Sequence, residues 1–95
     1  MKTRAVILKP QDNVAIALTD LDAGIELDIN CEGHLFQVKL EEPIPYQHKF
    51  SFATVCLGEE IIKDGVVIGI ATDEIHPGQH VHIHNMTGRR SKPLK

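Results

Sequence analysis

Apolar and polar residues alternate along most of the chain. The period of two is clearest in three places, which are Val14, Ile16 and Leu18, then Phe50 and Phe52, then Val81 and Ile83. This spacing is typical of strands with one buried face. No long stretch carries an apolar stripe at helical period, and Gly and Pro interrupt the chain repeatedly. The pattern predicts an all-β domain of short strands, with no helix longer than about two turns.

Four eight-residue segments share one template, in which the second and eighth positions are apolar. They are DLDAGIEL (20–27), PIPYQHKF (43–50), TVCLGEEI (54–61) and EIHPGQHV (74–81). The fifth position is one where a turn needs a positive φ, and it holds Gly24, Gly58, Gly78 and Gln47. We expect four similar corners with these glycines at turns. Chance similarity among short turn-to-strand segments is the alternative.

Length and composition restrict the class of protein. A chain of 95 residues, 42% hydrophobic and 24% charged, is expected to bury one modest core. A net charge of -3 indicates no general phosphate-binding surface, so nucleic acid is not an expected partner. The chain has neither an apolar run of roughly 20 residues nor the features of a signal peptide, so we expect no membrane partner and a cytoplasmic location. Cys31 and Cys56 form no CxxC and are expected to be reduced, with Cys56 buried.

Four of the six histidines fall within HPGQHVHIHN (76–85). If this segment is extended, His80, His82 and His84 line one face at intervals of roughly 6.6 Å, and Val81 and Ile83 face the core. Neutral imidazole is a common ligand of iron and zinc, and an H-x-H pair can place two nitrogens on one ion. Three interpretations remain open for this row: a solvated polar face, a metal site and an acid–base group.

A second candidate site is the pair His48 and Lys49 at the start of a predicted strand. A cation beside an imidazole is able to hold a substrate carboxylate or to position a proton carrier, and an exposed polar turn is the alternative. His34 and His76 are typical of exposed or structural turn residues. The segment KDGVVIGIAT (63–72) predicts a hairpin with a DG turn. No GxSxG, phosphate loop or HExxH motif occurs, which argues against acyl transfer, nucleotide hydrolysis and metalloprotease chemistry.

Three segments of the chain resemble the small domain of the altronate and galactarate dehydratase family. They are DNVAIALTDLDAG (12–24), EEPIPYQHKFSFA (41–53) and GEEIIKDGVVIGIATDEIHPGQHVHIHN (58–85). That domain is of the SAF type, related to type III antifreeze proteins, and the resemblance implies a β-clip fold over residues 10–86. Residues 1–9 are then an N-terminal segment, and the basic stretch 87–95 is expected to be a flexible tail.

The resemblance also implies a function. Dehydratases of this family remove water from sugar acids with a divalent metal, and some members divide the small domain and the large catalytic region between two chains. The expected protein is the small subunit, or the N-terminal-type domain, of an altronate dehydratase-like hydro-lyase, inactive without a separate large catalytic subunit. Two alternatives remain, because a related pair eliminates sulfite from sulfolactate, and similar domains of other enzymes are non-catalytic modules that bind carbohydrate or protein.

Within the histidine-rich segment, the resemblance favours the metal interpretation for His82 and His84. Iron is the first candidate for the metal and manganese the second. His80 and Asn85 are then expected to contact the sugar-acid substrate, and His48 and Lys49 to take part in catalysis.

Overall fold

The computed structural model describes residues 3–88, and this part of the chain is all-β. Nine strands are present in it, and no helix, so none of the described residues belongs to a helix that could cross a membrane. The strands are β1 (Ala5–Val6), β2 (Val14–Ala17), β3 (Glu26–Cys31), β4 (His34–Lys39), β5 (Lys49–Ser51), β6 (Glu60–Lys63), β7 (Val66–Ala71), β8 (His80–Val81) and β9 (Met86–Gly88). The predicted all-β fold of short strands is confirmed.

The strands form three small antiparallel sheets. One has the order β1-β2-β5-β8, one is the β3-β4 hairpin, and one has the order β6-β7-β9. Strands β1 and β9 lie partly or wholly outside the predicted range 10–86, so the folded domain takes in residues on both sides of it. Most of the predicted tail, residues 89–95, lies outside the described residues.

The four template segments form four equivalent corners. The fifth residue has positive φ in each: 87° at Gly24, 71° at Gln47, 90° at Gly58 and 89° at Gly78. In every corner the sixth residue donates its N–H to the carbonyl of the third, at 2.9 to 3.4 Å. This combination defines a type II turn, and it confirms the predicted recurrence.

The corners associate in two pairs through their second positions. Leu21 and Ile44 exchange backbone hydrogen bonds of 2.9 and 2.8 Å, and Val55 and Ile75 do so at 2.8 Å. Each pair also buries its eighth residues, and the two pairs build two separate cores. The first core includes Leu21, Leu27, Ile44 and Phe50, and the second includes Val55, Ile61, Ile75 and Val81.

The two cysteines are free, with Cys31 buried and Cys56 exposed. The prediction that Cys56 is buried is therefore wrong. Cys56 occupies the third template position, which is exposed at all four corners because it precedes the turn on its outer side.

Asp12 connects the N-terminal turn to the β6-β7 hairpin. It is 6% exposed, and its carboxylate accepts the backbone N–H groups of Lys9, Asp64 and Gly65 at 3.1, 2.9 and 2.9 Å. Asp64 and Gly65 have φ of 55° and 75°, which matches the DG hairpin turn that the sequence predicts. A buried side chain thus satisfies backbone donors from two turns that are distant in sequence.

Replacement of Gly78 by Ala should cost more stability than replacement of Gly58. Both residues need positive φ, for which a β-carbon costs about 1–2 kcal/mol. A β-carbon at Gly58 meets open space, whereas one at Gly78 overlaps the backbone carbonyl of Lys39. We expect Gly78→Ala to lower the free energy of unfolding by about 1–3 kcal/mol more than Gly58→Ala does. Urea unfolding measures both, and equal losses would contradict the close approach at Gly78.

The Asp12→Ala variant should lose about 1–3 kcal/mol of unfolding free energy, because it leaves three part-buried backbone donors without their acceptor. Lys9→Ala is the matched control, since it keeps the backbone N–H and removes only an exposed ion pair of 3.5 Å to Asp64. The Lys9→Ala variant should lose no more than about 0.5 kcal/mol of unfolding free energy. Thermal and urea unfolding of the two variants should separate them, and similar losses would argue against the Asp12 connection.

Candidate functional site

Four imidazole rings lie against one another on the surface of the domain. We call His48, His80, His82 and His84 the imidazole cluster. The ring centroid of His48 lies 5.0 Å from that of His80 and 5.1 Å from that of His82, and the His80 and His82 centroids are 5.4 Å apart. The three ring planes lie within 29° of parallel. His84 is tilted against His80 at 5.7 Å. The cluster therefore has a compact core of three rings and one peripheral ring.

Pairing of β5 with β8 brings the cluster together. His48 is the sixth residue of the second corner and directly precedes β5, while His80 begins β8. Phe50 is paired with His80 and Lys49 with Val81, so continuation of this register sets His48 opposite His82. The corner fixes where β5 begins, and the ladder fixes which imidazoles are neighbours.

The histidines do not form the extended row that the sequence predicts. Strand β8 ends at Val81, and His82 to Asn85 form a turn in which Asn85 N–H donates to the His82 carbonyl at 3.1 Å. Val81 is buried as expected, but Ile83 is 82% exposed. The prediction of a buried Ile83 is wrong, because the chain must reverse here for β9 to pair with β7. The turn, together with a ring from β5, produces the cluster.

Two nitrogens of the cluster are within hydrogen-bonding distance of each other. His48 Nδ1 and His80 Nε2 are 2.8 Å apart, so one ring donates its proton and the other accepts it. Burial lowers the pKa of His80, as do the neighbouring His48 and His82, and Glu42 opposes this shift. His80 is thus favoured in the neutral form, which is able to accept a proton.

Carboxylates border the cluster on one side. Glu42 Oε2 accepts the backbone N–H of His80 at 3.0 Å. A cavity of about 270 Å³ adjoins this contact, and its lining consists of Glu42, Asp73, Glu74, Gln79, His84 and Asn85. The site therefore combines clustered imidazoles with nearby carboxylates.

Asn85 lies beneath the turn and is 6% exposed. Its Oδ1 accepts the backbone N–H of His82 at 3.0 Å, and its Nδ2 donates to the carbonyl of His80 at 2.8 Å. The amide is therefore engaged with the backbone on both sides of Val81. Its contact with substrate stays a prediction.

Lys49 does not belong to the imidazole cluster. Successive residues of a strand point to opposite faces, which separates Lys49 from its neighbour His48. Burial lowers the pKa of Lys49, and the nearby Lys63 lowers it further. The catalytic role of Lys49 stays a prediction. His34 and His76, which the sequence suggested to be exposed or structural turn residues, are both exposed.

The sequence did not indicate that His48 joins the other three histidines. A signal was nevertheless present, because His48 and His80 occupy the sixth and seventh positions of the second and fourth template segments. If the strands in these two segments are taken to pair, the sequence predicts that the two rings lie close together. The missing information was the pairing between corners, which is long-range.

Within residues 3–88, no group of three or more His, Cys, Asp or Glu side chains is arranged to hold a metal ion. The chemistry of the cluster nevertheless suits one, since imidazole nitrogen is a good ligand for iron and zinc. The described chain thus offers suitable donor atoms without a complete coordination shell of its own.

The fold and the site define a small β-clip domain that presents clustered imidazoles on its surface. The family model of the altronate/galactarate dehydratase SAF domain matches residues 3–89. The chain belongs to this family.

Three relatives show the contexts in which such a domain occurs. Altronate dehydratase of Escherichia coli (strain K12) is 39% identical over 74 residues, and that of Bacillus subtilis (strain 168) is 35% identical over 77 residues. These alignments cover 78% and 79% of this chain but only 14% of either relative. The (2R)-sulfolactate sulfo-lyase subunit alpha of Chromohalobacter salexigens is 35% identical over 88 residues, with 90% of this chain and 94% of the relative covered. The relatives are lyases, and the domain is either part of a longer chain or a separate subunit.

Stability should fall as the pH drops through the ordinary histidine range. Because the pKa of His80 is lowered in the folded state, the unfolded chain binds its proton more readily below about pH 6.5, and unfolding is favoured there. We expect His80→Gln to flatten this dependence and His76→Gln to preserve it. Urea unfolding at a series of pH values provides the test. The assignment fails if both variants keep the same dependence as the original protein.

Proposed function

We propose that this chain is the small subunit of a two-chain lyase that removes water from a sugar acid, in the manner of altronate or galactarate dehydratase. The imidazole cluster is the observation that carries the proposal, because it concentrates proton-accepting and metal-binding groups on a domain of a lyase family. The separate subunit form of the sulfo-lyase relative supports a two-chain organisation.

Elimination beside a carboxylate needs a base for the α-proton and an acid or a metal for the departing hydroxyl. The domain offers imidazoles at its surface, beside a cavity of about 270 Å³. A large catalytic subunit would enclose the substrate and supply the remaining groups. The small chain alone is therefore expected to be inactive.

Within the cluster, His48 and His80 are suited to proton handling. Their 2.8 Å nitrogen contact leaves the outer nitrogen of His48, Nε2, to take or give a proton. In this proposal His80 also lies close enough to the reacting groups to contact the substrate. Lys49, on the other face of β5, would act only if the partner chain brings the substrate carboxylate to that side.

His82 and His84 would hold a divalent metal, with iron the first candidate and manganese the second. When bound, the metal would act as a Lewis acid that stabilises charge on the leaving oxygen. Since no three donor side chains within residues 3–88 are arranged to hold a metal ion, further ligands would come from the large subunit or the substrate. We place the assembled enzyme in the cytoplasm.

A second candidate is the small subunit of a sulfolactate sulfo-lyase. The observation that favours it is coverage, because the alignment with the sulfo-lyase subunit spans 94% of that relative. Dehydration remains the first choice, since the E. coli altronate dehydratase has the higher identity of 39%. Both candidates share an acidic substrate and a separate catalytic subunit, and they differ in the leaving group.

Copurification with a tagged copy of the chain tests the proposal. The partner is expected to be a chain similar to the catalytic region of altronate dehydratase, encoded by a neighbouring gene. The purified pair is then assayed on altronate, galactarate and sulfolactate, and each chain is assayed alone. Dehydration by the pair only supports the proposal, and sulfite release only supports the second candidate. A non-catalytic carbohydrate-binding or protein-binding module is indicated if no such partner exists and no substrate reacts.

Substitution of His82 or His84 by Ala should abolish turnover of the reconstituted pair. His84 is exposed, so its truncation should change the free energy of unfolding by no more than about 0.5 kcal/mol. His76→Ala, at an exposed histidine outside the cluster, is the matched control and should keep full activity. Turnover and urea unfolding are measured for all three variants. Unchanged turnover in both cluster variants would leave the histidines a solvated face.

Metal content distinguishes the two roles that a cluster histidine can have. Loss of a metal ligand should lower the metal content of the pair, and added iron or manganese should restore part of the activity. Loss of a proton carrier should leave the metal content normal while the rate falls about 10²- to 10⁴-fold. Elemental analysis and turnover are therefore measured on the same preparation.

A further inference from the structure

We infer that Asn85 is the positioning residue of the imidazole cluster. This inference rests on the proposed function above, and it gives Asn85 an indirect role in place of contact with the substrate. Asn85 is 6% exposed and takes part in four hydrogen bonds. Two involve its side chain, with His82 N–H and the His80 carbonyl, and two involve its backbone, with the His82 carbonyl and Thr72 N–H.

These bonds define the backbone from which three of the four rings project. The side-chain amide of Asn85 bonds to the backbone of both residues that flank Val81, and the Asn85 backbone N–H closes the turn that carries His84. An amide suits this position because it supplies one acceptor and one donor from the same group, as the two backbone partners require. An aliphatic side chain would leave a donor and an acceptor unpaired at a site with little access to water.

The ring contacts of the cluster therefore depend on Asn85. The 2.8 Å contact between His48 Nδ1 and His80 Nε2 needs the His80 backbone to be held against β5. The 5.1 Å stacking of His48 on His82 needs the turn to begin immediately after Val81. Loss of the Asn85 side-chain hydrogen bonds should disturb these ring contacts first, while Val81 stays packed in the second core.

Asn13 provides a matched control. Its amide makes an equivalent pair of backbone hydrogen bonds, donating to the Glu60 carbonyl at 2.9 Å and accepting from Ile62 N–H at 2.8 Å. None of these partners belongs to the cluster. If Asn85 only stabilises the fold, its replacement should have the same effects as replacement of Asn13.

The test compares Asn85→Ala with Asn13→Ala in the full-length chain. Urea unfolding should show a lowered midpoint for both variants. Nitrogen-15 NMR of the imidazoles should show the His48–His80 hydrogen bond in Asn13→Ala, and proton NOEs should show the His48–His82 ring contact there. Both signals should be lost in folded Asn85→Ala. Persistence of both signals in Asn85→Ala would overturn the inference.

Asn85→Asp serves as a second variant if Asn85→Ala does not fold. It keeps the acceptor for His82 N–H and loses the donor to the His80 carbonyl, so the His48–His80 signal should weaken more than the His48–His82 contact. Ring signals identical to those of the original protein would contradict the positioning role.

Turnover of the reconstituted pair separates this inference from the proposed function. We expect Asn85→Ala to lower turnover about 10²-fold, as misplacement of reacting groups commonly does, while Asn13→Ala stays active. If His82→Ala is inactive but Asn85→Ala is fully active, the positioning role is wrong and the proposed function stands. If neither His82→Ala nor Asn85→Ala loses turnover, the proposed function is wrong. The ring signals alone then decide whether Asn85 orders the cluster.

Discussion

The reciprocal backbone hydrogen bonds between paired corners are the constraint on which the rest of this structure depends. Each corner requires a residue with positive φ at its fifth position, and each pair is joined through its second residues. Short strands gain little from their own ladders, so these corners determine where the four strands that follow them, β3, β5, β6 and β8, start. The two cores follow, because the apolar template positions are buried once the corners meet.

The imidazole cluster is a consequence of the same arrangement. The second corner sets the position of His48, and the fourth corner sets the position of His80, while β5-β8 pairing joins them. Gly78 contributes because its backbone bonds to both Ser51 and Glu41, which fixes the fourth corner against neighbouring segments. His48 and His80 are thus placed by the corners and by strand pairing, whereas His82 and His84 lie in the turn that the hydrogen bonds of Asn85 close.

Local patterns predicted the parts of the fold that local chemistry controls. Period-two alternation indicated strands, and the fifth template position indicated turns with positive φ, including the non-glycine Gln47. The error at Ile83 has a physical reason. Alternation of Val81 with histidines is compatible with a strand, but the register of β9 on β7 and the hydrogen bonds of Asn85 impose a turn. Membership of His48 in the cluster depended on pairing between segments more than 30 residues apart, which no local pattern contains.

Hydrogen bonds and cores internal to the domain fit its occurrence in the relatives both within a longer chain and as a separate subunit. The placement of the imidazoles depends on hydrogen bonds and cores within residues 3–88, so it does not require covalent attachment to a catalytic region. Association with such a region would remove water from an exposed surface. Because burial already lowers the pKa of His80, further desolvation would favour its neutral form more strongly. Docking would thus keep the His80 imidazole unprotonated while making it a weaker base.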